Sequence, residues 1–162
     1  MGILTTIIIG IAATLTTMLL LLSILLPQGI LIPIPITLVW ALNITGTQEP
    51  DILYGTHEND IIRGHGGDDM IFGLEGNDQI RGDRGNDTIH GDSGNDIIQG
   101  DGGDDLIFGD YGNDTLSGGF DNDTLTGGPG KDSFNCGQGS NDTVTDYNQA
   151  ENDTILGNCE NF

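Results

Sequence analysis

Lysine and arginine supply only 4 of the 162 residues, against 25 Asp and Glu, and no charged residue precedes Glu49. The formal charge of −21 leaves almost nothing to neutralise phosphates, which excludes nucleic acid as a partner. Aromatic residues make up 6% of the chain and glycine contributes 27 residues, so the acidic part is too glycine-rich for a helical bundle. No cysteine occurs before Cys136, which removes lipid attachment at a cleaved N-terminal cysteine. Catalytic signatures are missing too. His57-Glu58 is followed by Asn59, Asp60 and Ile61, so the second His of a zinc-protease helix is absent, and no Gly-x-Ser-x-Gly elbow is present. Paired carboxylates recur too regularly for a glycosidase pair to be singled out. The chain reads as a non-enzyme.

What is present falls into two parts. Residues 1–26 are uncharged and mostly Ile, Leu, Ala and Thr; as a helix they would reach roughly 39 Å, enough to span a bilayer. Pro27 and Gly29 break this run, and the next, Ile30 to Leu42, holds Pro33 and Pro35 and is too short and broken for a second span. Residues 1–41 therefore read as a signal peptide, with Val39-Trp40-Ala41 at the cleavage position, or as a retained membrane anchor. A buried core helix is a third reading. In either of the first two, the acidic part lies outside the cytoplasm, and membrane contact is confined to residues 1–26 of an uncleaved chain.

The acidic part repeats every nine residues. Glycine opens ten units, at Gly46, Gly55, Gly64, Gly73, Gly82, Gly91, Gly100, Gly109, Gly118 and Gly127, and the last unit ends at Asn135. The sixth position is always Asp: Asp51, Asp60, Asp69, Asp78, Asp87, Asp96, Asp105, Asp114, Asp123 and Asp132. The eighth is always apolar: Leu53, Ile62, Ile71, Ile80, Ile89, Ile98, Ile107, Leu116, Leu125 and Phe134. A fourth-position glycine occurs in seven units, at Gly67, Gly76, Gly85, Gly94, Gly103, Gly112 and Gly130, and the fifth position is mostly Asn or Asp.

Glycines beside Asn or Asp favour sharp turns, so the first six positions predict a loop and the last three a short strand. With strand period two, only the eighth side chain enters a core. Two units make one eighteen-residue coil with a strand on each side, and five coils stacked at about 4.8 Å give an all-β, two-sheet solenoid roughly 24 Å long. Stacking sets the sixth-position carboxylates of units n and n+2 side by side, where unpaired like charges repel. Arg63, Arg81, Arg84 and Lys131 are too few to neutralise them. Oxygen ligands in a flexible, glycine-rich loop suit Ca²⁺ better than Mg²⁺ with its strict octahedron.

Units such as Gly91-Asp92-Ser93-Gly94-Asn95-Asp96-Ile97-Ile98-Gln99 resemble the nonapeptide of RTX, or hemolysin-type, calcium-binding proteins, over residues 46–135. The resemblance implies a right-handed parallel β-roll with Ca²⁺ between the turns of units n and n+2. The ligands it implies are carbonyls at positions two and four with the Asp of one turn, and carbonyls at one and three with the Asp of the next. On this chain Asp87 and Asp105 would share an ion with the carbonyls of Asp83, Gly85, Gly100 and Gly102. The implied ligand set takes in the ten Asp and the seven fourth-position glycines. It adds Gly64, Gly73, Gly82, Gly91, Gly100, Gly109, Gly118 and Gly127 at position one, and Gly66 and Gly102 at position three. Ten units allow at most eight ions. Units one and two depart, with Thr47 and Thr56 at position two and Glu49 and Glu58 at position four, and are expected to form an N-terminal cap with weaker sites. Asp121 replaces the fourth glycine in unit nine, while Asp83, Asp92, Asp101 and Asp110 at position two are expected to face solvent rather than metal.

Residues 136–162 are expected to cap the stack. Asn141-Asp142-Thr143-Val144 and Asn152-Asp153-Thr154-Ile155 look like repeat remnants, and Val144, Tyr147, Ile155, Leu156 and Phe162 are the candidate cover. Cys136 and Cys159 form a disulfide or remain two free thiols. Ile52, Tyr54, Met70, Phe72, Leu106 and Phe108 fall on one outer face, a surface for self-association or for a surface polymer unless another segment of the chain covers it. The sequence therefore describes an exported calcium-binding β-roll at the cell surface or outside the cell, with a structural or adhesive role. A membrane-tethered calcium buffer or sensor, and an accessory module of a secreted hydrolase or toxin on another chain, are the alternatives.

Overall fold

The structure, a computed structural model, describes residues 41–161, so the expected signal peptide or anchor lies outside the described residues. Among those described, no helix is long and apolar enough to cross a membrane. Thirteen strands follow in order: β1 (Asn43–Thr45), β2 (Ile52–Tyr54), β3 (Ile61–Gly66), β4 (Met70–Phe72), β5 (Gln79–Arg84), β6 (Thr88–His90), β7 (Ile97–Gly102), β8 (Leu106–Phe108), β9 (Thr115–Phe120), β10 (Thr124–Thr126), β11 (Ser133–Gln138), β12 (Thr143–Val144) and β13 (Thr154–Ile155).

Odd-numbered strands form a seven-stranded sheet and even-numbered strands a six-stranded one, each in order along the chain and parallel throughout. The chain thus alternates between two sheets, a parallel β-solenoid of about six turns. Register is eighteen residues per coil: Ile62 pairs with Ile80 and Ile80 with Ile98 in one sheet, Ile71 with Ile89 and Ile89 with Ile107 in the other. A shift of one residue would turn the apolar column out to solvent, and that fixes the register. From Ile62 to Phe134 this column is fully buried, and Ile44 and Leu53 pack against it at the N-terminal end. Each such aliphatic side chain stabilises the roll by about 1.5–3 kcal/mol.

Three features differ from the sequence reading. The loops are shorter than six residues on one side, because β3, β5, β7 and β9 continue through the first three positions of the next unit. At the corresponding positions on the other side, only isolated bridges link Glu75 to Ser93 and Ser93 to Tyr111. The solenoid also outruns the glycine period at both ends. β1 precedes the first glycine and pairs with β3, while β12 and β13 extend the two sheets beyond Asn135, so the C-terminal segment is in part solenoid rather than a separate cover. Leu156, expected to cover the end, is 70% exposed, whereas Val144 is buried and Tyr147 and Ile155 pack on the core. Phe162 lies outside the described residues.

Cys136 and Cys159 are joined as a disulfide, with their Cα atoms 5.2 Å apart and a sequence separation of 23. It ties the final segment to the buried Cys136 of β11 and, by loop closure, contributes about 3 kcal/mol.

Candidate metal centre

From the third unit on, each turn reverses the chain through left-handed backbone at positions two and four. At position four, Gly67, Gly76, Gly85, Gly94, Gly103, Gly112 and Gly130 all have positive φ, and Asp121 adopts φ 73° in place of the missing glycine. At position two, Asp83, Asp92, Asp101 and Asp110 lie between 66° and 77°, a region Asp tolerates better than most side chains. Their carboxylates are used locally. Asp101 pairs with Arg81 at 2.6 Å, Asp83 lies 3.6 Å from the same guanidinium, Asp110 meets His90 at 2.9 Å, and Asp92 accepts the Leu74 N–H.

The turn brings the fifth and sixth side chains onto neighbouring coils. The Asn77 side-chain oxygen accepts the N–H of Asn95, and that of Asn95 accepts the N–H of Asn113, so the fifth position stitches coils together without metal. The sixth-position Asp reaches the other way. Asp87 Oδ1 accepts the N–H of Asp69 at 2.8 Å, Asp105 Oδ1 that of Asp87 at 2.8 Å, and Asp114 Oδ1 that of Asp96 at 2.8 Å. Asp60, Asp69, Asp78, Asp87, Asp96, Asp105, Asp114, Asp123 and Asp132 are all buried, in one row along each side of the solenoid.

The second carboxylate oxygen has no such partner. Oδ2 of Asp69, Asp78, Asp87, Asp96, Asp105, Asp114, Asp123 and Asp132 is buried without a hydrogen bond, and so is Oδ2 of Asp142. These oxygens converge on the space above the first-position glycines. A Cβ at Gly73 would lie 2.6 Å from Asp78 Oδ2 and 2.6 Å from the Gly91 carbonyl oxygen, and at Gly91 it would meet Asp96 Oδ2 at 2.5 Å and the Gly109 carbonyl at 2.7 Å. In the other row, a Cβ at Gly82 would collide with Asp87 Oδ2 and lie 2.9 Å from the Gly100 carbonyl oxygen. Gly64, Gly100, Gly109, Gly118 and Gly127 stand in the same relation to Asp69, Asp105, Asp114, Asp123 and Asp132. One turn thus supplies a carboxylate oxygen and the turn two units on a carbonyl oxygen, with no side chain between them. Position three differs, because Gly66 and Gly102 close strands β3 and β7 and no carboxylate lies against either.

Among the described residues no three His, Cys, Asp or Glu side chains cluster as a metal site. The donors are hard oxygens, from carboxylates and from the main chain, a set that fits Ca²⁺ and suits no thiolate- or imidazole-seeking metal.

The profile of the RTX calcium-binding nonapeptide repeat matches in four copies, at residues 45–80, 72–107, 81–114 and 108–143. The chain belongs to the RTX calcium-binding repeat family. Among curated proteins and solved structures nothing matches it. RTX repeats bind Ca²⁺ between turns, and that is where the partnerless oxygens of this chain lie.

Three acidic residues past the glycine period join the RTX rows. Asp142 Oδ1 accepts the Asp123 N–H at 2.9 Å, Asp153 Oδ1 the Asp132 N–H at 2.9 Å, and Glu160 Oε2 the Asp142 N–H at 2.8 Å. The Asn-Asp-Thr remnants signalled the first two. Insertions that carry them 19 and 21 residues from their partners hid them from the period, and Glu160 has no sequence signal of this kind.

Without metal, burial pushes the RTX carboxyls up: Asp105 to about 8, Asp96 and Asp114 to about 7, and Asp78, Asp87, Asp123 and Asp132 to about 6. Asp69 moves in the same direction. The accepted N–H pulls each value down by less than burial raises it, and neighbouring carboxylates add to the rise. An unfolded Asp titrates near about 3.9, so the folded roll binds protons that the unfolded chain releases. The metal-free roll is therefore favoured below about pH 4 and loses stability as pH rises through about 6 to 8. In calcium-free buffer, the β signal in circular dichroism is expected to grow on acidification from about pH 8 to about pH 5. A signal that is flat or falls would show that these carboxyls do not oppose folding.

On the outer face of the six-stranded sheet, Tyr54, Phe72, His90 and Phe108 stack as a column, with centroids 5.1, 5.3 and 4.5 Å apart and planes within 11°. Within the column both faces of Phe72 and of His90 are covered by a neighbouring ring. Beside them Ile52, Met70 and Leu106 are exposed.

Proposed function

We propose that this chain is an exported β-roll that folds on binding calcium and serves as a structural or adhesive module at the cell surface or outside the cell. The buried, partnerless Asp Oδ2 rows carry this reading, since a divalent cation between turns relieves every one of them at once. The ligands would be the sixth-position carboxylates from Asp69 onward with carbonyls of adjacent turns, among them Gly100 and Gly118 around Asp105. Metal binding is then folding free energy. Extracellular calcium suits sites of this class, whose affinities fall at about 10⁻⁴ to 10⁻³ M. The uncharged first 48 residues and the disulfide both favour an oxidising compartment beyond the cytoplasm. The apolar surface around Ile52, Met70 and Leu106 supports a contact role for the module.

Cells producing the full chain with a C-terminal tag test the placement. The tag is expected in the medium or within reach of added antibody on intact cells, and added protease should destroy it in chelator but spare it in about 5 mM calcium. A tag reachable only after lysis would overturn the exported module.

A further inference from the structure

The first two turns are built differently from those that follow. Thr47 donates both its N–H, at 2.6 Å, and its hydroxyl, at 2.9 Å, to Oδ2 of Asp51. Thr56 does the same for Asp60, at 2.6 and 2.9 Å. Each hydroxyl also accepts the N–H of the following Glu, Glu49 at 3.2 Å and Glu58 at 3.1 Å, which locks its rotamer and aims its proton at the carboxylate. Thr47, Thr56, Glu49 and Glu58 are not among the residues with positive φ, whereas later turns are left-handed at positions two and four. The oxygen that lies bare in later turns therefore carries two donated hydrogens here. A cation approaching it would face positive hydrogens on the lone pairs it needs.

At the other end the order reverses. Asp142 lies outside the glycine period, yet it is fully buried and its Oδ2 is partnerless. A Cβ built on Gly139 would meet the Asp121 carbonyl oxygen and both carboxylate oxygens of Asp142, with Oδ2 at 2.7 Å. Three oxygens thus surround one point. Asp123, the preceding member of that row, also has a bare Oδ2. Asp153 closes the second row, because its Oδ2 accepts the Asn148 N–H at 2.8 Å.

We propose that the calcium row follows the bare carboxylates, Asp69 to Asp142, and not the glycine period, Asp51 to Asp132. Threonine closes the first two turns in place of metal, and the C-terminal segment adds a site at Asp142 that the period omits. The inference rests on the calcium reading above. It leaves four ion-bearing pairs in the row ending at Asp142 and three in the row ending at Asp132.

Equilibrium dialysis of the full chain in detergent, at saturating calcium with bound metal counted by atomic emission, tests these bounds. Asp51→Asn is expected to bind as many ions as the wild type. Asp142→Asn should bind one fewer, and Thr47→Gly with Thr56→Gly should gain up to two, because glycine removes the hydroxyl donor and lets position two turn left-handed as in later turns, carrying its N–H off the carboxylate. Ions lost in Asp51→Asn, or an unchanged count in both of the other variants, would overturn the inference while leaving calcium binding intact. A wild-type chain that binds no calcium would overturn the calcium reading itself, and this inference with it.

Discussion

Replacing Asp105 by asparagine is expected to raise the calcium concentration at which the chain folds by about two decades or more. Asp105 sits in mid-row, with Oδ1 holding the Asp87 N–H at 2.8 Å and Oδ2 bare above Gly100. Its row continues to Asp87 on one side and Asp123 on the other, so its charge serves two inter-turn sites. Asparagine keeps the shape and can still accept the N–H, and packing is preserved. What goes is one negative charge beside buried cations, a loss of about 3–5 kcal/mol when one partner of a buried pair is removed. Asp92→Asn is the matched control. It removes an equal charge from position two, where the carboxylate accepts the Leu74 N–H at 3.2 Å and neighbours the Asp78 and Asp96 carboxylates without being one of the bare row. Calcium titrations followed by circular dichroism should therefore separate the two variants widely. Equal shifts would mean that only net charge matters and that the sixth position has no special role.

Much of this was legible because the repeat constrains chemistry at three columns. The eighth-position column named the core, residue by residue from Ile62 to Phe134, since period two leaves it no other place to go. The sixth-position column named the carboxylates that are buried from Asp60 to Asp132, because Asp fills that position in all ten units. The first-position column was legible only as turn chemistry, yet none of its glycines has positive φ; they are needed for space, as at Gly73 and Gly82, where any Cβ would run into the carboxylate. Even β1 was within reach: Ile44 stands nine residues before Leu53 and continues the apolar column. Use of each carboxylate oxygen was not legible. Asp51 and Asp87 occupy the same column, yet one is satisfied by threonine and the other is half bare, a difference of hydrogen-bond geometry that composition does not carry. Asp142 and Asp153 were obscured because short insertions shift the period without breaking the stacking. The fifth-position Asn ladder was read only as turn chemistry, since nothing in one unit reveals a bond made eighteen residues away.

Removing calcium altogether should have the largest effect of all. At neutral pH the folded roll without metal holds nine buried carboxylate oxygens with no partner. Each such group costs at least about 1–3 kcal/mol. Together they match or exceed the total stability of an ordinary domain, about 5–15 kcal/mol. The apolar column is one side chain wide at each strand, and it is the main opposing term. Protonation relieves part of the cost, at neutral pH mainly at Asp105, which burial raises to about 8, and at Asp78 and Asp87 only below about 6.

Far-UV circular dichroism of the full chain in detergent, titrated from chelator to about 10 mM Ca²⁺ with Mg²⁺ in parallel, tests metal-coupled folding most directly. A cooperative gain of β signal with calcium, and little with magnesium, is the expected result. A roll already formed in chelator at neutral pH, or one that responds equally to both ions, would contradict it.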